Sequence, residues 1–127
     1  MLCTRGSVEY DELKQGLNGS VKGLIICCEM TSDALDTDTS FESTSIIDFC
    51  SRYFQTTLAS EDHVSGYSHC ALGPYFGNKC GKTVVCGFQS SERGGFVECI
   101  LKEKEQKVGI VGTAVTAMSA GKIMIGA

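Results

Sequence analysis

Ser60-Glu61-Asp62-His63-Val64-Ser65-Gly66-Tyr67-Ser68-His69-Cys70-Ala71-Leu72-Gly73-Pro74-Tyr75-Phe76 is the stretch on which the reading of the whole chain turns. Two acids lead into a short Ser/Gly turn, and small and aromatic residues then run up to Gly77-Asn78. That order predicts a loop feeding a helix N-terminus, capped by Ser65 or Ser68. The backbone N–H groups from Gly66 to His69 are then free to face a ligand. An anion, most simply a substrate carboxylate, is stabilised there by those donors and by the positive end of the helix dipole. Asp62 stands close enough in sequence to act on whatever is held, whereas Glu61 reads as a surface charge.

The surrounding chain has the length and make-up of one domain, 127 residues with ordinary globular proportions of apolar and charged side chains. Fifteen acidic against 11 basic residues give a net charge of −4. The basic residues are scattered, except for Lys102, Lys104 and Lys107, which alternate with Glu103 and Glu105. Nucleic acid is therefore not expected as a partner, because phosphate binding requires a one-sided basic field. The first residues contain no apolar run of signal-peptide type. The apolar stretch 108–120 is shorter than the roughly 20 residues that span a bilayer. The expectation is a cytoplasmic protein without a membrane partner, its eight cysteines mostly reduced and buried as small apolar residues.

Around the opening stretch the pattern predicts an α+β fold. Residues 7–18 have helical spacing at Tyr10, Leu13 and Leu17, with Asn18-Gly19 as a stop. The continuous apolar run 21–29 predicts a strand buried on both faces. A polar surface loop follows over 30–44, and 46–54 suits a strand by its β-branched and aromatic residues. Beyond the central helix, 83–89 and 96–101 predict an antiparallel pair joined by the turn 90–95. The charged residues 103–107 form a hairpin tip, and 108–118 and 123–125 supply further strands.

Several suggestive motifs fail on spacing. Gly77-Asn78-Lys79-Cys80-Gly81-Lys82-Thr83 ends like a phosphate-binding loop, but its first glycine is one residue too close and a strand follows where a helix is required. Asp33, Asp36 and Asp38 lack the glycine and closing glutamate of a calcium loop. No Cys-x-x-Cys pair is present, so no metal site is expected. His69 and Cys70 are neighbours on a helix, about 100° apart, which argues against a thiolate–imidazolium pair.

The ordered motifs resemble a known family. Arg52-Tyr53-Phe54 followed by 61–76 is similar to R-x-F…E-D-P-V-T-G-S-A-H-C-A-L-x-P-Y-W. Gly81-Lys82 is similar to the following L-G-K, Gln89 to Gly95 to Q-x-S-x-R-G-G, and Val108 to Gly121 to a closing V-x-l-x-G-x-A-V-x-V-x-x-G. This resembles the phenazine biosynthesis PhzF-like family of the diaminopimelate epimerase-like fold, most strongly over residues 52–121. The likeness is to the family's C-terminal half, with 1–127 as a single domain.

The resemblance implies a β-sheet or barrel wrapped around one central helix, with substrate in the cleft between two such halves. It implies cofactor-independent proton transfer beside a carboxylate of a small organic acid. Asp62 matches the family aspartate across the cleft from a glutamate of the N-terminal half, and Ser65, Gly66, Tyr67 and Ser68 match the substrate cradle. Three positions depart from the pattern: His63 replaces proline, Ser65 threonine, and Tyr67 a small serine. The expected partners are a small carboxylate and either a complementary half or a second copy in a homodimer. The alternatives are a non-catalytic binding remnant and a fragment of a longer two-half isomerase, since half of an acid–base pair is a poor catalyst.

Overall fold

Strand β2 (Phe49–Gln55) is the hub of the sheet, because it pairs with three others. It runs antiparallel to β1 (Gly23–Glu29) and to the short β3 (Ser60–Glu61), and parallel to β4 (Val84–Gln89) over three residue pairs. From β4 the chain continues as an antiparallel meander through β5 (Gly95–Lys102) and β6 (Lys107–Gly112). A separate short ladder joins β7 (Met118–Ser119) to β8 (Lys122–Ile123). The computed structural model describes residues 12, 15–16, 20–30, 47–56, 60–114, 118–119 and 122–123.

The parallel β2–β4 pair explains the position of helix α1 (Gly66–Cys80), since parallel neighbours cannot be joined by a tight turn and the chain must cross over. The helix packs on β4, β5 and β6. Its buried stripe is Ser68, His69, Leu72, Gly73, Phe76 and Gly77, the spacing that one helical face dictates. Leu72 and Phe76 enter a core with Phe49, Val85, Val97 and Cys99. The Phe49 and Phe76 rings stack with centroids 4.4 Å apart. Leu72→Ala or Phe76→Ala would leave a cavity in that layer.

Two glycines set how closely the helix approaches. A Cβ on Gly73 would stand 2.8 Å from the Cβ of Cys99, and one on Gly77 would overlap the side chain of Leu101. Gly81 ends the helix in the left-handed conformation (φ 65°), with its N–H bonded to the Gly77 carbonyl. At the same end Lys79 pairs with Glu29, and Lys82 with the buried Asp48, which also accepts from the Cys86 N–H.

The α+β reading stands, as a mixed sheet with one described helix, and the strands expected over 46–54, 83–89 and 96–101 are present as β2, β4 and β5. The charged tip is a 3-10 turn at Glu103–Glu105, closed by Gln106 with φ 51°. β1 departs from expectation. It lies at one end of the strand order, and Ile26 is 46% exposed, so it is not buried on both faces. The cysteines differ too: among the described ones only Cys50 and Cys99 are buried, while Cys27 and Cys70 are exposed. The helix over 7–18 and the loop over 30–44 lie almost wholly outside the described residues.

Gly73→Ala tests the close approach. Alanine favours an isolated helix by about 1 kcal/mol, but overpacking against the Cys99 Cβ costs about 1–3 kcal/mol. A lower urea midpoint is expected; an unchanged or raised midpoint would show that the helix can lift off β5 freely.

Candidate functional site

The turn 62–65 joins β3 to the helix and is fixed from three sides. From β2, the Tyr53 carbonyl accepts the Asp62 N–H at 3.0 Å. Arg52 grips Glu61 with two parallel bonds of 2.8 Å, from Nε to Oε1 and from Nη2 to Oε2. Both side chains are mostly buried, at 13% and 15% exposure, and the guanidinium also lies over the Phe54 ring. Glu61 is therefore no loose surface charge. It is the bidentate anchor that holds β3 on β2, the geometry in which an Arg–carboxylate pair is strongest.

From β4, Gln89 braces both ends of the turn. This fully buried amide donates from Nε2 to the Asp62 carbonyl (2.5 Å) and accepts at Oε1 from the Ser65 N–H (2.7 Å). The loop after β4 adds a third hold. Ser91 Oγ donates to the His63 carbonyl and accepts from the Gly94 N–H. A segment with no regular hydrogen-bond ladder is thus held by side chains of its neighbours.

Ser65 takes the cap. Its Oγ accepts the Ser68 N–H at 3.1 Å, and its carbonyl receives the Ser68 hydroxyl and, at 2.6 Å, Nδ1 of His69. A carbonyl only accepts, so Nδ1 carries the proton and Nε2 the lone pair. That Nε2 is buried without a partner among the described residues. It faces Gly87, where an added Cβ would stand 3.0 Å from Nε2 and overlap the Phe49 ring. Burial pushes the His69 pKa below its usual value, against the smaller opposite pull of the Ser65 carbonyl.

The five predicted site residues fall into three groups. Ser65 and Ser68 are buried, with the cap bonds just described accounting for their hydroxyls and N–H groups. Asp62 is half-buried, and its backbone is held while its carboxylate has no hydrogen-bond or ion-pair partner among the described residues. Gly66 and Tyr67 are exposed, and their N–H groups have no partner among the described residues. Tyr67 projects its ring into the open (75% exposed) within 6.5 Å of the Tyr53 ring. A free acid and two unspent donors at a helix N-terminus are suited to holding an anion and exchanging a proton with it. Away from this point, a groove of about 320 Å³ runs between the helix and the β5–β6 hairpin, lined by Cys70, Pro74 and Val108 among others.

Gln89 and Arg52 stand within the family-like motifs, but neither sequence pattern nor composition assigns them these contacts. The signal was the pairing itself: β2 lies beside both β3 and β4.

Fold and site together define a class, an α+β sheet that presents a capped helix N-terminus beside an acid held in a braced turn. The chain belongs to the phenazine biosynthesis-like protein family, whose family model matches residues 19–120. It is 37% identical over 81 residues to an uncharacterized isomerase of Halalkalibacterium halodurans, covering 63% of this chain and 30% of that protein. It is 34% identical over 101 residues to the mouse phenazine biosynthesis-like domain-containing protein 2, covering 79% of this chain and 32% of the relative. A crystal structure of a phenazine biosynthesis protein of the PhzF family from Enterococcus faecalis superposes with a TM-score of 0.60 at 29% identity, over 84% of this chain and 34% of that one. The chain thus matches about a third of the length of these relatives. No helix among the described residues is long and apolar enough to cross a membrane.

Two outcomes test the braces. Gln89→Leu removes both bonds and leaves a buried carbonyl and N–H unpaired, at about 1–3 kcal/mol for each unsatisfied group. A urea midpoint unchanged from wild type would refute the brace. For His69, the unfolded state takes up a proton below about pH 6.5 while the folded state resists it. Stability is therefore expected to be level in this contribution above pH 7 and to fall as pH drops toward 5. His69→Gln should flatten that fall, and a variant with the wild-type pH profile would assign it to other groups.

Proposed function

We propose that this chain is the C-terminal half-unit of a PhzF-type isomerase. It moves a proton at a carbon beside the carboxylate of a small organic acid, without a cofactor. The observation that carries this reading is an Asp62 carboxylate and the N–H groups of Gly66 and Tyr67, at the two ends of one braced turn and all without a partner among the described residues. Substrate carboxylate sits on those donors, where the helix dipole supports the negative charge that grows as the neighbouring carbon loses its proton. Asp62 gives or takes that proton. Ser65 and Ser68 act one layer back, by fixing the cap that aims the donors.

The diaminopimelate epimerase-like half-fold belongs to the same reading. A second half, carrying the glutamate that the family resemblance implies, faces the helix N-terminus and closes the cleft. It comes from another polypeptide or from a second copy of this chain. The exposed aromatic surface at Tyr67 and Tyr75 suits such a cover. A binding role without catalysis is the second reading, favoured by one observation: a bulky, exposed Tyr67 stands where the family motif has a small serine.

Deuterium exchange in heavy water, followed by NMR over a panel of small carboxylic acids, separates the two. The chain is assayed alone and with the separately produced N-terminal half of a relative. Exchange beside the carboxylate is expected with the second half present, and Asp62→Asn should slow it by about 10²–10⁴-fold, the usual worth of a general acid or base. Exchange that survives Asp62→Asn would remove the role given to Asp62. Saturable binding with no exchange in any combination would establish the second reading.

A further inference from the structure

We propose that the face of the β4–β5–β6 meander turned away from the helix is a self-association surface, on which a second copy of this chain sits about a two-fold axis. The registers fix what that face carries. Val85, Val97 and Cys99 enter the core beneath the helix, so their neighbours along each strand point the other way. The outer face is thus a grid of cross-strand rows. Cys86, Glu98 and Val111 make one row, Val84, Ile100 and Gly109 the next, and Lys102 with Lys107 the last.

Two features of this grid call for a partner. Its apolar residues are open, Val84 at 44% and Val111 at 49% exposure, with Ile100 half-buried at the centre. Its charges are also separated by sign. Lys102 and Lys107 stand directly opposite each other, an arrangement that repels, while Glu98 lies on the far side of Ile100. All three are exposed, and none makes an ion pair among the described residues. The Lys102 stem runs along this face, its Cε 3.9 Å from where a Cβ on Gly109 would stand.

Ile100 is midway between Glu98 and Lys102 on β5. A two-fold axis lying between the two sheets, across the strands and over Ile100, therefore stacks the two β5 strands antiparallel. It sets Glu98 of one copy over Lys102 of the other and Val111 over the Lys107 stem, and the symmetry repeats each contact in reverse. The Ile100 side chains meet on the axis, and Val84 meets its counterpart beside them. Face-to-face sheets sit about 10 Å apart, a gap that a glutamate and a lysine side chain span together. The surface is self-complementary in charge as well as in apolar character.

Helix α1 packs on the opposite face of these strands. This contact therefore leaves the Asp62 side open and does not depend on the function proposed above. Three strands make a small patch, below the roughly 1,200 Å² at which standard interfaces begin, so the dimer is expected at protein concentrations on the order of 100 µM.

Sedimentation velocity on the whole chain, over a concentration series extending well above that value, tests this. A monomer–dimer equilibrium that added salt weakens is expected. Glu98→Lys, and Lys102→Glu combined with Lys107→Glu, should each weaken it more than about tenfold, because the axis then sets like charges face to face. Mixed together, the two variants should pair with each other, since one carries only lysines and the other only glutamates at these positions. Circular dichroism checks that each variant is folded, and Glu98→Gln, which should weaken the dimer in the same direction, replaces Glu98→Lys if that variant unfolds. A monomer at every concentration, a dimer indifferent to the substitutions, or charge variants that do not pair on mixing would overturn the assignment.

Discussion

The Gln89 amide is the constraint on which the rest of the site depends. It is buried, and its two polar ends reach opposite ends of one turn, the Asp62 carbonyl and the Ser65 N–H. An amide is suited to this because it carries an acceptor and donors on one rigid plane. Shortening it by one carbon or replacing it by a hydroxyl leaves at least one end unmet. With the bracket in place, Asp62 hangs from a fixed backbone and Ser65 sits where its hydroxyl can cap the helix. The orientation of the helix donors is thus a consequence of a residue on a strand that follows the helix by several residues.

The sequence carried the strands and the central helix because their patterns are local: apolar runs of strand length, a Ser/Gly entry and a Gly exit. Ser65, Gly66 and Tyr67 were legible for the same reason, as cap and first turn. Glu61 was misread, since its partner Arg52 lies nine residues earlier and the two meet only through the β2–β3 register. The partial exposure of β1 was missed because an apolar run carries no sign of whether the strand will have neighbours on both sides. The buried state of His69 was hidden for a similar reason. It needs a glycine on β4 to make room, and nothing within the helix points to Gly87.

Ser65 and Ser68 illustrate the difference between forming a site and touching what binds there. Both belong to the segment that the family pattern marks, yet their polar groups face one another within the cap. Their effect on the helix N-terminus passes through the backbone that they hold. Tyr67 stands at the other extreme, with its ring 75% exposed. The N–H groups of Gly66 and Tyr67 are main-chain donors that survive changes of residue type.

The short parallel contact between β2 and β4 gives the sheet a seam. On one side lie β1, β2 and β3, on the other the β4–β5–β6 meander, and each side completes most of its backbone ladder without the other. Three residue pairs join them, so much of the cohesion across the seam comes from side chains: the Phe49–Phe76 stack, Asp48 with Lys82, and Gln89 with the 62–65 turn. Asp62 hangs from the first block and the Ser65 cap is braced from the second. A ligand that touches both the acid and the helix donors therefore acts as a suture, and its binding energy adds directly to the cooperativity between the two blocks.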